Sequence, residues 1–151
     1  MGLELESPKF EDRGGIPEKY GYTKENINPP LTIQGVPPGT KALVLIMDDP
    51  DAEPVAEKVW DHWVVWNIDP EIERVPENWK PTNAVQGKTD YGENKYGGPN
   101  PPDKEHLYRF LLIAIDKELD IDKNSTKKEA LKAVEGHVLD KTRLHGNYSP
   151  V

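Results

Sequence analysis

Short apolar runs separated by turns constrain the fold of this chain more than any other feature of its sequence. Residues 41–47, KALVLIM, are continuously apolar, which predicts a strand buried on both faces. Residues 62–68, HWVVWNI, are rich in β-branched and aromatic side chains, as strands prefer. Residues 106–116, HLYRFLLIAID, predict a third strand, and LTIQGV at 31–36 a weaker fourth.

Proline and glycine clusters lie between these runs. The sequence has NPP at 28–30, VPPGT at 36–40 and DPDAEP at 49–54, all typical of turns. No regular alternation of strand and helix patterns is present. Many short strands with such punctuation indicate an antiparallel sandwich or barrel.

One helix is predicted late in the chain. Thr126 and Glu129 have the spacing of a capping box, and apolar residues then recur at helical spacing up to Val138. Gly146 is a plausible end for this helix, and Gly136 a plausible break within it. The stretch 76–103 is rich in proline, glycine and asparagine, so we expect long ordered loops there.

Composition excludes several classes of protein. The 151 residues suit a single domain over 1–151, and 19 basic against 27 acidic residues give a net charge of −8, which disfavours nucleic acid as a partner. The absence of cysteine excludes disulfides, thiolate nucleophiles and zinc–cysteine sites. Residues 1–15 lack the apolar segment of a signal peptide, and no apolar run could span a membrane. We therefore expect a cytoplasmic protein without stable membrane insertion.

Polar side chains lie at the ends of three predicted strands. Asp49 follows the strand at 41–47, Trp60 and His62 begin the next, and His106 and Tyr108 begin a third. Because side chains alternate along a strand, Trp60 and His62 share a face, and so do His106 and Tyr108. If the three strand ends meet, one small cavity gathers these side chains.

Two imidazoles beside a carboxylate, with exposed backbone amides at Gly97 and Gly98, would form an anion pocket. In this hypothesis His62 and His106 donate to the anion, and Asp49 fixes their tautomer or charge. Structural interpretations remain open for each motif. His62 could be a packed core histidine, the aspartates of DPDAEP could cap backbone amides, and GGPNPP at 97–102 could be only a rigid loop.

The same residues resemble the phosphatidylethanolamine-binding protein family, in particular its prokaryotic, Raf-kinase-inhibitor-like branch. The resemblance covers almost the whole chain. It rests on DPDA, the strand VWDHWVVWNI, YGGPNPP and the strand HLYRFLLIAID, in that order, together with the N-terminal half and the segment EALKAVEGHVLDKTRLHGNY. These motifs are jointly very specific.

The resemblance implies an all-β dominated fold, a Greek-key antiparallel β-sandwich with short peripheral helices, one of them near the C-terminus. It also implies a pocket for phosphate-like or carboxylate groups, such as the headgroup of phosphatidylethanolamine. By position, its residues are Asp49, Pro50, Trp60, His62, Gly98, Pro101, His106 and Tyr108.

The chain departs from the family pattern at several positions. Glu53 is inserted in the usual DPDAP, which changes the rim of the pocket and adds negative charge. Asn100 and Thr23 stand where cysteines are usual. Leu107 replaces the arginine of the His-Arg-Tyr pattern, and Arg109 follows Tyr108 and should face the opposite side of the strand.

Enzymatic alternatives have little support in the sequence. The serines at 7, 125 and 149 lie outside the motifs, so covalent catalysis by serine is improbable. Acid–base chemistry by Asp49 with His62, or a metal site of two histidines and one carboxylate, remains a rival hypothesis. We expect no cofactor and no metal. His137 and His145 fall in the predicted helical region and are expected at the surface or at helix caps.

The sequence therefore favours a non-catalytic binding protein whose partner is a small anionic ligand, free or on a protein. The alternative is an inhibitor of a protein kinase or serine protease that acts through the exposed loops 49–54 or 97–103. The two hypotheses differ in one respect. Pocket binding should require His62 and His106, whereas inhibition by a loop should survive their substitution.

Overall fold

A computed structural model describes residues 2–151 and shows a mostly β chain with two short helices, as the sequence predicts. The helices are α1 (Glu53–Ala56) and α2 (Lys127–Val134). The strands are β1 (Glu4–Glu6), β2 (Gly14–Gly15), β3 (Leu31–Gln34), β4 (Ala42–Asp49), β5 (Trp60–Ile68), β6 (Arg74–Val75), β7 (Val85–Gln86), β8 (His106–Ile115) and β9 (Val138–Tyr148).

The strands form two sheets. The smaller has the order β1-β3-β6, and the larger has the order β2-β9-β8-β4-β5-β7. All neighbouring strands are antiparallel except β2 and β9, which pair in parallel over two residues. The prediction of antiparallel pairing is therefore wrong only at this short edge.

Strand β4 lies at the centre of the larger sheet, and every residue in it is buried. Odd-numbered apolar residues from 43 to 47 join the core between the two sheets. Even-numbered ones from 42 to 46 pack on the other face against Ala130 and Val134 of α2. Each of the larger aliphatic side chains contributes about 2 kcal/mol by burial. Both faces are covered, which explains the continuous apolar run.

The same alternation continues into the polar end of β4. Asp48 is directed to the face covered by α2, where it meets Lys127. Asp49 is directed to the opposite face, where it meets His106. Two adjacent buried carboxylates therefore lie in separate environments.

A β-bulge in β5 changes the phase of that strand at His62. Met47 pairs with Trp63, but the next residue, Asp48, pairs with Asp61, so that β5 carries one extra residue. Bulges re-aim side chains in this way. Without it, alternation from Trp63 would place His62 on the face covered by α2; with it, His62 and Trp60 both face away from α2.

The C-terminal helix is shorter than the sequence predicts. It ends at Val134, and Gly136, with φ of +81°, reverses the chain direction. The following residues form β9, which pairs with β8 from Val138↔Ile115 to Tyr148↔His106. The predicted helix end at Gly146 is wrong, because side chains of period two, including buried Leu144 and Tyr148, are held by tertiary pairing.

His137 and His145 consequently do not lie in a helix. His137 precedes β9 and its Nδ1 lies 2.8 Å from Asp116 Oδ1. His145 belongs to β9 and lies 3.3 Å from Asp12. Both are partly exposed, so the expectation of surface groups holds while the helical assignment fails.

The stretch 76–103 contains only one regular element, the two-residue β7. Its end is nevertheless well anchored, because Tyr96–Pro99 are buried and the Tyr96 hydroxyl donates to the Tyr20 carbonyl at 2.9 Å. The predicted ordered loop therefore forms a packed wall beside the ends of β5 and β8.

Candidate functional site

The ends of β4, β5 and β8 meet around a cavity of about 210 Å³. The cavity is lined by Asp49, Ala52, Val55, Ala56, Trp60, His62, Tyr91, Asn100, Pro101, Pro102, His106 and Tyr108. Six of the eight residues named from the sequence are among them. The other two, Pro50 and Gly98, do not line it.

Pro50 and Gly98 lie behind the cavity wall instead. Pro50 begins a short 3₁₀ turn whose amides are capped by Asp49. Gly98 packs so closely on the backbone that a Cβ there would lie 2.1 Å from the Tyr20 carbonyl oxygen. Only glycine fits at this position, which explains its place in the motif.

His106 is held between two carboxylates. Its Nδ1 lies 2.6 Å from Asp49 Oδ2 and its Nε2 lies 2.8 Å from Asp103 Oδ1. Burial opposes a charge on the ring, but the hydrogen bonds that the ring donates to Asp49 and Asp103 outweigh it and raise the pKa of His106. Because each contact needs a hydrogen on the nitrogen, this arrangement fits the doubly protonated ring.

His62 is neutral. Burial lowers the pKa of the imidazole to about 4, and its Nδ1 lies 2.7 Å from the Gly97 carbonyl oxygen. A carbonyl can only accept, so Nδ1 carries the hydrogen and Nε2 of the neutral ring is an acceptor. The expectation that Asp49 orients both histidines is wrong for His62, which is oriented by the backbone of Gly97. A neutral ring with its hydrogen on Nδ1 cannot donate from Nε2, so the expectation that His62 donates to the anion is wrong as well.

The backbone amides of Gly97 and Gly98 are not available to a ligand. The Gly97 N–H donates to the His62 carbonyl at 2.9 Å, and the Gly98 N–H donates to Asn26 Oδ1 at 2.7 Å. The prediction that these amides are exposed is wrong. They fasten the loop to β5 and to the N-terminal region.

Two donors at the cavity remain without partners. Among the residues from 2 to 151, Trp60 Nε1 and the Tyr108 hydroxyl are buried donors without a partner in hydrogen-bond geometry, although Asp49 and the Asn100 backbone lie near that hydroxyl. Burial, with a smaller contribution from Asp49, raises the pKa of Tyr108, so the hydroxyl keeps its proton. A larger open groove of about 550 Å³ lies along residues 4–12 and 142–144, but neither donor lines it.

The two aspartates at and just after the end of β4, Asp49 and Asp51, have different roles. Asp49 Oδ1 accepts from the Asp51 N–H at 3.0 Å, and Asp51 Oδ2 accepts from the Leu107 N–H at 2.8 Å. The capping interpretation is therefore correct for Asp51 and for one oxygen of Asp49. The inserted Glu53 begins α1, which brings Val55 and Ala56 to the cavity rim.

The opposite face of the sheet carries a closed network of charges. Arg109 donates to both oxygens of Asp48 at 2.8 Å, and Lys127 lies 3.1 Å from Asp48 and 2.8 Å from Asp61. Burial favours the neutral acid, but Arg109 and Lys127 together lower the pKa of Asp48. Arg109 thus faces away from Tyr108, as the sequence predicts.

Tyr91 is a lining residue that sequence reasoning missed. Its ring stacks on Tyr22 with centroids 4.0 Å apart, and its hydroxyl donates to the Gly98 carbonyl at 2.9 Å. It also meets His62 edge-on at 5.6 Å. No local pattern marks it, because an irregular loop brings it to the site.

Within residues 2–151 no group of three or more His, Asp or Glu side chains is arranged to hold a metal ion. Over the same residues no helix has the length and apolar character needed to cross a membrane.

The sequence and the fold correspond to a known class of protein. The family model described as phosphatidylethanolamine-binding protein matches residues 6–149. The chain therefore belongs to the phosphatidylethanolamine-binding protein family, as its motifs indicate.

Prokaryotic relatives cover the chain almost completely. A UPF0098 protein of Methanothermobacter thermautotrophicus is 45% identical over 151 residues, which is 97% of this chain and 98% of that protein. A UPF0098 protein of Archaeoglobus fulgidus is 43% identical over 146 residues, but the chain spans only 49% of its length. These names do not describe an activity.

Solved structures confirm the fold. A putative phosphatidylethanolamine-binding protein homolog from Chlamydia trachomatis superposes with a TM-score of 0.91 at 36% identity, covering 97% of both chains. YbcL of E. coli, described as a member of the mammalian family, gives a TM-score of 0.90 at 26% identity, covering 100% of this chain and 99% of that one.

Proposed function

We propose that this chain is a non-catalytic binding protein whose cavity accepts a phosphate or carboxylate group. The group could belong to a free small molecule, to a lipid headgroup of the phosphatidylethanolamine type, or to a modified protein. The observation that carries the proposal is the pair of unpartnered donors, Trp60 Nε1 and the Tyr108 hydroxyl, at one cavity.

The energetics of these donors favour occupancy. A buried donor without a partner costs about 1–3 kcal/mol. An oxyanion supplies acceptor oxygens for both donors at once, and a hydrogen bond to a charged group is stronger than one between neutral groups. Ala52, Val55 and Pro101 add an apolar wall that limits competition from water.

The cavity formed by the described residues lacks the hydroxyl or thiol nucleophile that a serine or cysteine hydrolase uses. In the part of the chain that the structure describes, no serine lines the cavity. His62 is oriented by a carbonyl, and its low pKa makes it a weak base. These observations support binding rather than turnover.

The loops proposed for kinase or protease inhibition have shapes that favour the pocket hypothesis. Residues 50–52 form a 3₁₀ turn and 53–56 a helical turn, so 49–54 is not an extended loop. Residues 97–99 are buried, and their amides at 97 and 98 are bonded within the protein. Inhibition through these loops remains a prediction without a supporting contact, as do a cytoplasmic location and Greek-key connections between the sheets.

The test is a titration with inorganic phosphate and with phosphorylethanolamine, followed by histidine NMR signals and calorimetry. We expect saturable shifts at His62 and His106 and none at His137 and His145. The double variant His62→Ala, His106→Ala should lose binding and retain the fold.

The matched control is His137→Ala with His145→Ala, which removes two histidines that, like His106, are paired with aspartates but lie outside the cavity. It should bind as the wild type does. Unchanged affinity in the first double variant, or no shift at millimolar ligand, would contradict the proposal.

A further inference from the structure

We infer that Asp103 sets the charge class of the ligand, so that the cavity takes singly charged oxyanions in preference to dianions. This inference rests on the proposed function and concerns the same cavity. Asp103 was not among the residues that the sequence pointed to. Its role follows from how it contacts His106.

Asp103 accepts from the one N–H of His106 that is not already bonded to a buried side chain. Asp49, which is almost fully buried, takes Nδ1, and the partly exposed Asp103 takes Nε2 at 2.8 Å. An anion that uses His106 as a donor must therefore displace the Asp103 carboxylate. Asp103 lies in the exposed segment 102–105, so its side chain can leave without disturbing buried structure.

The charges around His106 explain the preference. The imidazolium carries one positive charge and is paired with two carboxyl groups, those of Asp49 and Asp103. His62 is neutral and adds no compensating charge. A dianion is therefore repelled about twice as strongly as a monoanion, and this repulsion is strong in a partly buried site.

Neighbouring charges do not reverse this balance. Lys104 and Glu105 are adjacent, exposed and opposite in sign. Asp51 is committed to the Leu107 N–H, and Glu53 on α1 adds a further negative charge near the rim. The donors left for a ligand are the neutral N–H of Trp60 and O–H of Tyr108, which suit a singly charged group.

The experiment compares sulfate with methyl sulfate, two tetrahedral sulfur oxyanions that carry two charges and one charge and do not titrate near neutral pH. Calorimetry and histidine NMR are used on the wild type, on Asp103→Asn, and on Glu105→Gln as the matched control. The control removes one exposed carboxylate two residues away that does not contact His106. Thermal unfolding verifies that each variant is folded.

We expect the wild type to bind methyl sulfate more tightly than sulfate. Asp103→Asn should tighten sulfate binding by about tenfold, as loss of one competing charge-assisted hydrogen bond implies, and methyl sulfate by less. The pKa of His106 should fall in Asp103→Asn and not in Glu105→Gln. Binding that appears only in Asp103→Asn would also support the inference.

The failures are distinguishable. If both probes bind and Asp103→Asn leaves the sulfate affinity within twofold of the wild type, the inference is overturned and the proposed function stands. A histidine pKa that is unchanged in Asp103→Asn overturns it as well. If neither probe binds the wild type or the variant, the proposed function fails and the inference fails with it.

Discussion

Asp48 and Asp49 are consecutive, buried and chemically identical, yet their surroundings differ completely. Asp48 faces α2, where Arg109 and Lys127 contact its oxygens. Asp49 faces the cavity, where it is bonded to His106 beside the unpartnered Tyr108 hydroxyl. Both oxygens of Asp48 are occupied by cations, whereas the cavity beside Asp49 keeps donors without partners.

The difference separates structural from functional use of buried charge. A closed network such as that of Asp48 offers nothing to a ligand, because every oxygen is already occupied by a cation. The cavity beside Asp49 keeps donors unsatisfied at a cost to stability, and such a cost is expected at binding sites. Substitutions on each face test whether the two faces respond independently.

The largest expected effect on stability comes from removing a cation from the charge network on the α2 face. Lys127→Met removes the cation shared by Asp48 and Asp61 and should lower the free energy of unfolding by about 3 kcal/mol, because two buried carboxylates lose a partner. Urea unfolding measures this change. Lys128→Met, at the exposed neighbouring position, is the control and should change little.

Phosphate affinity should be the same in Lys127→Met as in the wild type. A fall in affinity that matches the fall in stability would show that the two faces are coupled. The independence of the faces would then be lost.

A smaller effect is expected from pH on the cavity side. The pKa of His62 is about 4 in the folded protein, below the ordinary value of about 6.5. Between these values the unfolded chain binds a proton that the folded chain does not, so stability should fall by about 2 kcal/mol from pH 6.5 to pH 5. His106 has the opposite sign, because its raised pKa gives stability that is lost as pH rises through that value.

Urea unfolding at several pH values and NMR of the histidine rings test this expectation. The His62 ring should stay neutral down to pH 5. A His62 signal that titrates with an ordinary histidine pKa would contradict the buried neutral ring.

The smallest change in stability is expected for Tyr108→Phe, which should raise stability and lower phosphate affinity. Removal of an unsatisfied buried hydroxyl should raise the free energy of unfolding by about 1 kcal/mol. Loss of a donor to an anion should weaken phosphate binding by about tenfold. Stability and affinity therefore move in opposite directions.

Tyr20→Phe is the matched control, because its buried hydroxyl has a partner in Glu77 Oε1. It should lower stability by about 1 kcal/mol and leave phosphate affinity unchanged. If Tyr108→Phe behaves as this control does, the hydroxyl is satisfied in solution and the binding argument loses its main support.

The sequence predicted the strands that build the site because they are local patterns. The runs at 41–47, 62–68 and 106–116 correspond to β4, β5 and β8, and alternation alone placed Tyr108 and Arg109 on opposite faces. Turn residues and the family motifs then indicated which strand ends meet.

Features that depend on tertiary pairing escaped prediction. The sequence predicts a helix that runs into β9, because residues 131–138 fit a helical period. Nothing local shows that β8 will pair with the following segment. The bulge at His62 depends on a register set by β4. The hydrogen bonds of Gly97 and Gly98, and the contact of Asp103 with His106, join residues whose approach depends on loop paths.

Trp60 also gives the cavity an optical reporter. Its indole N–H has no protein partner, whereas that of Trp63 is bonded to Gln86 at 2.8 Å. Indole fluorescence responds to the polarity beside the ring, so an oxygen that accepts from Trp60 changes the emission. The buried Trp63 and Trp66, and the partly exposed Trp79, do not line the cavity and contribute a constant background. Occupancy of the cavity should therefore be visible in the unlabelled protein.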